Sequence, residues 1–519
     1  MRVSRPFIAA CLSALPFLAH PAAEEKPEAK GDAANKPEEK PAKVEDKVTE
    51  HTLETPAGRI DYRVTTGFLP LLLKEDGAKS AAQVFHVSYT RLPEAGAAER
   101  PVTFCFNGGP GSSSVWLHLG TFGPKRVALD PLGNPPTPPG RLIDNPQTLL
   151  DQTDLVFIDP VSTGFSRPEK GEDAKQFHGV RGDIEAVAEF IRLWLTRHHR
   201  WLSPKFLAGE SYGTTRAAGL AEHLQSRHRI ELNGLLLVSS VLDFTTILPH
   251  ESNLLPHALF LPTYATVAWH HGKIPAGVAE SRADLQAKAE AFALREYLPA
   301  LARGGDLSAG ERQALANRLA ELTGLSAPRI LEQNLHLSPS WFMQELLREE
   351  SRIVGRMDGR YTAPAVQAFG RGEFFDPSLS AWMGPYTAAF HDYIRRDLGF
   401  ESDLPYEILS PKVHPWKWDG QENRYLTFQG ELRSVVIRNP SLAIFIASGD
   451  CDLATPYFAT DYTFRQLSQP GVAPRLTHHR YPAGHMMYVH EDSLVRMREH
   501  LRAYYTETLR AVPPPRVDR

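Results

Sequence analysis

The chain has 519 residues, enough for a large catalytic domain carrying an inserted lobe. Its 57 basic and 61 acidic residues are interspersed and leave a formal net charge of −4. That balance excludes the basic footprint of a nucleic-acid-binding protein and favours peptides or small molecules as partners.

The N-terminus reads as an export signal over residues 1–23. Arg2 and Arg5 precede a mostly apolar stretch from Phe7 to Ala19, and small residues at Ala22 and Ala23 accept cleavage. The stretch is too short to span a bilayer, and no other segment reaches the roughly 20 apolar residues needed, so stable membrane insertion is not expected. Ile8-Ala9-Ala10-Cys11 also resembles a lipoprotein cleavage box. Only five residues separate Arg5 from Cys11, so lipidation is the second reading and a periplasmic or secreted protein the first. Residues 24–50 alternate Glu, Lys, Pro and Ala with almost no large apolar side chains. Such a segment buries too little surface to offset its ordering entropy and is expected to be a disordered linker.

From there, Thr52 to Val64 and Gln83 to Arg91 alternate like strands of an opening antiparallel hairpin or meander. Val102 to Phe106 and Asp154 to Ile158 are short apolar strands, with an extended, exposed loop at Pro131 to Gly140 between them. Asp183 to Arg197 has helical spacing. Phe206-Leu207-Ala208 is another strand, followed by Gly209-Glu210-Ser211-Tyr212-Gly213 and a helix carrying Ala217, Ala218, Leu220, Ala221 and Leu224. The strand Gly234 to Ser239 is followed by no further candidate for the same sheet until Leu442 to Ala447. Strands alternating with helices imply an α/β fold, mostly parallel, with helices on both sheet faces. The catalytic domain is expected at 51–245 and 440–512, an inserted, mainly helical cap at 246–439, and a frayed tail at 513–519. Within the insertion, helices are expected at Glu280 to Ala302, after the capping box Ser308-x-x-Glu311, and at Trp341 to Glu350. Cys105 and Cys451 lie on strands that are not neighbours in such a sheet. Each intervening strand adds about 4.8 Å, and a disulfide needs Cα atoms within about 7 Å. Both are expected to be free and buried.

Gly209 to Gly213 reads as a nucleophile elbow, a strand–turn–helix junction that exposes a serine hydroxyl. Serine is a poor nucleophile until a base takes its proton and a third group holds that base in the right tautomer. The order Ser…Asp…His is completed by Gly449-Asp450-Cys451-Asp452 after a buried strand and by Gly484-His485-Met486. Ser211 and His485 are the expected nucleophile and base. Asp452 is preferred to Asp450 as the acid, because Asp450 comes earlier in the turn, where Asp commonly bonds its own backbone. Asn107-Gly108-Gly109-Pro110-Gly111-Ser112-Ser113-Ser114 directly follows a strand. In this fold such a loop supplies one backbone oxyanion donor and the residue after the nucleophile the other, here Gly109 and Tyr212. These residues imply a serine hydrolase.

Four segments resemble the signatures of the serine carboxypeptidases: Asn107 to Ser113, Gly209 to Gly213, Gly449-Asp450-x-Asp452 and Gly484-His485-Met486. Pro160-Val161-Ser162-Thr163-Gly164-Phe165-Ser166 resembles a fifth. The resemblance runs from about Thr52 to the C-terminus. It implies an α/β-hydrolase fold with a helical cap and metal-free removal of C-terminal residues from peptides through an acyl-enzyme. Ser211, Asp452 and His485 would be the triad, Gly109 and Tyr212 the oxyanion donors, and Asn107 and Glu210 the receptors of the substrate's free carboxylate. Two positions depart from the pattern: Cys105 replaces a common tryptophan, and Thr121 stands where the family usually pairs a second glutamate with the first. An esterase, acyltransferase or endopeptidase with the same triad is the alternative within enzymes. An inactive binding protein on the same fold is the alternative outside them.

Overall fold

The computed structural model describes residues 46–73, 79–92, 99–365, 375–421, 423–469 and 474–510. The expected signal at 1–23, most of the linker and the tail at 513–519 lie outside them. Alternating residues form an antiparallel meander of β1 (Lys47–Thr55), β2 (Gly58–Leu71) and β3 (Ala82–Arg91). β1 corrects the linker boundary, since Lys47 to Glu50 pair with Arg63 to Thr66 of β2. An edge strand needs only backbone partners and one covered face, and it tolerates charged side chains turned to water. Glu50 illustrates this, meeting Arg63 of β2 at 2.8 Å in an exposed pair.

The next five main strands are β4 (Val102–Phe106), β5 (Asp154–Ile158), β6 (Lys205–Glu210), β7 (Gly234–Val238) and β8 (Ala443–Gly449), buried at every residue. Continuous apolar runs of this kind suit parallel strands covered on both faces. β9 (Arg475–Tyr481) forms the far edge. The spatial order is β1-β2-β3-β5-β4-β6-β7-β8-β9, with the two-residue strand Arg167–Pro168 against β3 making ten. β3 and β5 are antiparallel, and every pairing from β5 to β9 is parallel. Cys105 and Cys451 are therefore separated by β6 and β7, and both are free and buried.

The helices used below are α1 (Val180–Arg197), α2 (Tyr212–His223), α3 (Leu261–His270), α4 (Arg282–Phe292), α5 (Ala309–Thr323), α6 (Pro377–Arg396), α7 (Gln429–Arg438) and α8 (Glu491–Leu509). Successive strand residues point to opposite faces. Leu235 and Leu237 of β7 accordingly join α1, α2 and α7 in one core, while Leu236 joins α6 and α8 in the other. Each fully buried leucine stabilises the fold by about 1.5–3 kcal/mol relative to exposure.

The segment between β7 and β8 is not one lobe. α3, α4 and α5 enclose a third apolar core with Leu337, Phe342 and Leu347, whereas α6 and α7 fill the two cores flanking the sheet. The boundary expected at residue 440 thus falls too late, because α7 is the crossover helix leading into β8. The single helix expected from Glu280 to Ala302 is interrupted by a wide turn at Ala293–Tyr297 before a short helix, Leu298–Arg303. Pro299 in its first turn has no N–H to continue the ladder. The helix expected at Trp341 to Glu350 runs instead over Pro339–Glu345, followed by a separate turn at Arg348–Glu350. The proline-rich loop at 131–140 is largely exposed but pinned at Pro131, whose carbonyl accepts from Glu491 N at 3.0 Å, and at Gly133. The buried Gly133 carbonyl accepts from Tyr361 Oη at 2.6 Å and Trp382 Nε1 at 3.2 Å.

Candidate active site

Ser211 sits between β6 and α2 with φ 59° and ψ −129°, a left-handed conformation that costs a non-glycine residue about 1–3 kcal/mol. The turn is held by Ser211 N donating to Val238 O at 3.0 Å and Thr214 N donating to Ser211 O at 2.8 Å. A side chain at Gly209 would place its Cβ 2.2 Å from Gly213 O. Only a residue lacking Cβ lets strand and helix approach that closely. The preceding loop packs on the same turn, where a Cβ at Gly108 would lie 2.5 Å from Tyr212 N. The loop that carries Gly109 therefore lies against the elbow at Tyr212. No loop, turn or side-chain hydrogen bond among the described residues engages the N–H of Gly109 or Tyr212.

The acid turn after β8 and the loop after β9 converge behind the elbow. His485 Nδ1 bonds Asp452 Oδ2 at 2.7 Å, and both side chains are buried. Asp452 also accepts from Ala454 N at 2.8 Å, Thr455 N at 2.9 Å and Thr455 Oγ1 at 2.7 Å. Asp450, the competing aspartate, turns the other way, accepting from Arg480 Nε at 2.9 Å with Arg282 at 3.6 Å. Burial depresses the His485 imidazole, but the Asp452 carboxylate, by charge and hydrogen bond, and the Glu210 charge outweigh it. His485 lies above the ordinary histidine value as a result. Its Nε2 is buried and makes no hydrogen bond among the described residues, to Ser211 or any other group.

Glu210, immediately before Ser211, is wholly enclosed. Burial pushes its carboxyl up to about 7, against the opposing pull of His485 and of a hydrogen bond from Tyr488, with Asp452 adding to the rise. Tyr488 Oη donates to Glu210 Oε2 at 2.6 Å. Asn107 directly follows β4 beside it. Its Oδ1 accepts from Leu117 N at 3.1 Å, while Nδ2 is buried and completes no hydrogen bond of normal geometry, although it stands near enough to favour the ionised Glu210. Thr121 is buried in a wide helical turn, His118–Phe122, and its carbonyl is taken by Asn145 Nδ2 at 2.6 Å.

Three residues that sequence reasoning missed support this arrangement. Arg216, on α2 one turn past the elbow, is buried and reaches Asn107 O at 2.6 Å and Asp183 Oδ2 at 2.7 Å, tying α1, α2 and the β4 loop together. Asp358, from the insertion, accepts from Gly484 N at 3.0 Å and pairs with Arg360 at 2.6 Å, while the neighbouring Met357 carbonyl accepts from His485 N at 2.6 Å. Tyr488 is the third. It lies three residues past His485, but nothing local marks its reach to Glu210, and Asp358, more than a hundred residues upstream, left no local signal either.

Residues 59–280 match the family model described as serine carboxypeptidase. Over that segment the chain is similar to the serine carboxypeptidases. It is 25% identical over 195 residues to serine carboxypeptidase-like 13 of Arabidopsis thaliana, covering 36% of this chain and 41% of that protein. It is 30% identical over 148 residues to the pheromone-processing carboxypeptidase KEX1 of Yarrowia lipolytica, covering 28% and 22%. The alignments thus span at most about two-fifths of these relatives' length. The crystal structure of KEX1(delta)p, a prohormone-processing carboxypeptidase from Saccharomyces cerevisiae, superposes with a TM-score of 0.55 at 17% identity, covering 86% of this chain and 91% of that one. The α/β-hydrolase fold expected from the carboxypeptidase motifs is the fold observed. Among the described residues no helix is long and apolar enough to cross a membrane.

Proposed function

We propose that this protein is an exported serine carboxypeptidase that releases residues from the free C-terminus of peptides. The observation that carries the reading is the enclosed Glu210, held near 7 directly beside the strained Ser211. A carboxyl that is neutral near pH 7 donates a hydrogen bond to a carboxylate. An ionised one would repel it. Such a donor next to the nucleophile suits an enzyme that must hold a substrate's free carboxylate, which an endopeptidase or esterase does not require. The unpaired Asn107 amide supplies a second donor in the same place.

In the reaction, Ser211 Oγ attacks the scissile carbonyl carbon as His485 Nε2 takes its proton. Asp452 fixes the tautomer with Nδ1 protonated and stabilises the imidazolium that forms. The contact between Oγ and Nε2 closes when substrate binds, since catalytic hydrogen bonds are often loose without it. The N–H groups of Gly109 and Tyr212 receive the developing oxyanion. The C–N bond then breaks, His485 passes its proton to the leaving amine, and the C-terminal residue departs. Water, deprotonated by His485, attacks the acyl-enzyme and restores Ser211. The helical lobe built on α3 to α5 shapes access, and residues 1–23 direct export. Neither metal nor cofactor is required.

The test offers an N-blocked peptide with a free or an amidated C-terminus and identifies the products by mass. Release of single C-terminal residues from the free acid in strong preference to the amide supports the reading. Internal cleavage, or equal turnover of both peptides, replaces it with an endopeptidase or esterase. Failure of Ser211 to react with a fluorophosphonate would leave an inactive binding protein.

A further inference from the structure

A buried phenol and a buried carboxyl meet at one point of the site: Tyr488 Oη to Glu210 Oε2, 2.6 Å. Tyr488 is carried by the short turn Met487–Val489 that follows His485, and its position is set from below. A Cβ at Gly120 would stand 2.5 Å from Tyr488 Cε2 and 2.8 Å from Tyr386 Oη. Gly120 lies in the wide turn His118–Phe122, next to Thr121. Insertions of this type in a helix are frequent at functional sites. Here the turn presents a bare glycine to two tyrosine side chains, one of which reaches Glu210.

We propose that Tyr488 is the positioning residue of the carboxylate subsite: seated on Gly120, its phenol holds Glu210 Oε2 and leaves Oε1 and the Asn107 amide to the substrate's C-terminal carboxylate. The inference rests on the carboxypeptidase reading. It adds that a neutral hydroxyl partner, donated from the histidine loop, does the orienting here, while Thr121 contributes its backbone carbonyl to Asn145. A phenol that donates to Oε2 is compatible with Glu210 in either state. When Glu210 is protonated its own O–H turns to the substrate, and when it is ionised the Tyr488 bond persists but the substrate carboxylate meets like charge.

The groups that act on Glu210 are His485 and Asp452 from the loops after β9 and β8, Tyr488 from the turn, Asn107 from the end of β4, and Tyr386 from α6. Of these, Tyr488 favours the ionised carboxyl. Removing its hydroxyl therefore raises the pH at which Glu210 ionises. Tyr488→Phe keeps the ring on Gly120 and deletes only the bond. Gly120→Ala keeps the hydroxyl and displaces the ring.

The experiment measures KM and kcat for the free-acid and amidated forms of one blocked peptide between pH 5 and 9, in wild type, Tyr488→Phe and Gly120→Ala, with melting temperature as the folding control. Losing a hydrogen bond to a neutral carboxyl costs about 0.5–1.5 kcal/mol, so KM for the free acid is expected to rise roughly two- to tenfold in Tyr488→Phe at low pH. The loss should appear in KM more than in kcat. The pH above which free-acid binding weakens should move upward in Tyr488→Phe, and Gly120→Ala should reproduce the KM effect. Wild type reports on the underlying reading first, because absence of any free-acid preference there removes the carboxypeptidase assignment. If wild type prefers the free acid but Tyr488→Phe leaves both the KM ratio and its pH midpoint unchanged, the positioning role is overturned. A parallel loss on both substrates in a destabilised Tyr488→Phe would also overturn it, showing Tyr488 to be a packing residue only.

Discussion

Asp452 and Glu210 are both buried carboxyl groups, 0% and 3% exposed, and both act electrostatically on His485, yet they are prepared for opposite tasks. Asp452 accepts four hydrogen bonds, from two backbone amides, a threonine hydroxyl and the imidazole. Those donors replace the water lost on burial. Glu210 accepts one side-chain bond, from Tyr488, and its carboxyl rises to about 7. Equal burial therefore does not mean equal chemistry. The number and kind of donors decide whether an enclosed carboxyl is set to accept from an imidazole or is left to offer its own O–H to a substrate.

The comparison is broken most forcefully at the groups between the two carboxyls. Ser211→Ala and His485→Ala are each expected to reduce kcat by a factor on the order of 10⁶, and the double variant by no more, because such residues act as a unit. A double loss equal to the product of the single losses would show that the two do not share one step. Next comes the acid itself. Asp452→Asn should cost roughly 10⁴ in kcat by permitting the wrong imidazole tautomer. Asp450→Asn, whose partners are Arg480 and Arg282, should cost less than about tenfold by the same argument. Equal losses at both positions would end the distinction.

The Glu210 side is read through pH. His485 sits above the usual histidine value, so the slower turnover of an ester- or amide-capped peptide should rise as pH climbs through that raised pKa and then stay level. For a free-acid peptide the same rise is opposed, because Glu210 deprotonates around 7 and like charge weakens binding. Glu210→Gln, a permanent donor, should flatten the fall in free-acid binding. KM against pH for both substrates checks this, and identical profiles would return Glu210 to a structural role.

The smallest effect tests the boundary of the meander. Deleting residues 24–45 should leave kcat unchanged and the melting temperature within about 2 °C, since a segment of that composition has little apolar surface to bury. Extending the deletion through Thr55 removes β1 and its ladder to β2, and a clear drop in melting temperature should follow. A thermal melt of each truncation decides it.

Much of this was legible locally. The apolar runs of β4 to β8, the glycine-flanked serine and the order of the three reactive residues are written in short segments, each with one physical reading. The helical periodicity of α1 and the capping box of α5 were equally direct. What failed depended on partners outside the window: Lys47 to Glu50 became strand because β2 lay alongside, and the insertion divided among three cores because α6 and α7 had faces of the sheet to cover.

The sequence by itself determined which residue types stand at the turn, the acid loop and the histidine loop, because backbone strain, close approach and strand burial admit few alternatives there. Tertiary structure alone decided which aspartate reaches His485, that Asp358 from the insertion holds the Gly484 amide, and that Tyr488 partners Glu210. Those outcomes turn on distances of a few tenths of an ångström between segments far apart in the chain. Hydrogen bonds and carboxyl pKa values respond to such distances, and no local pattern encodes them.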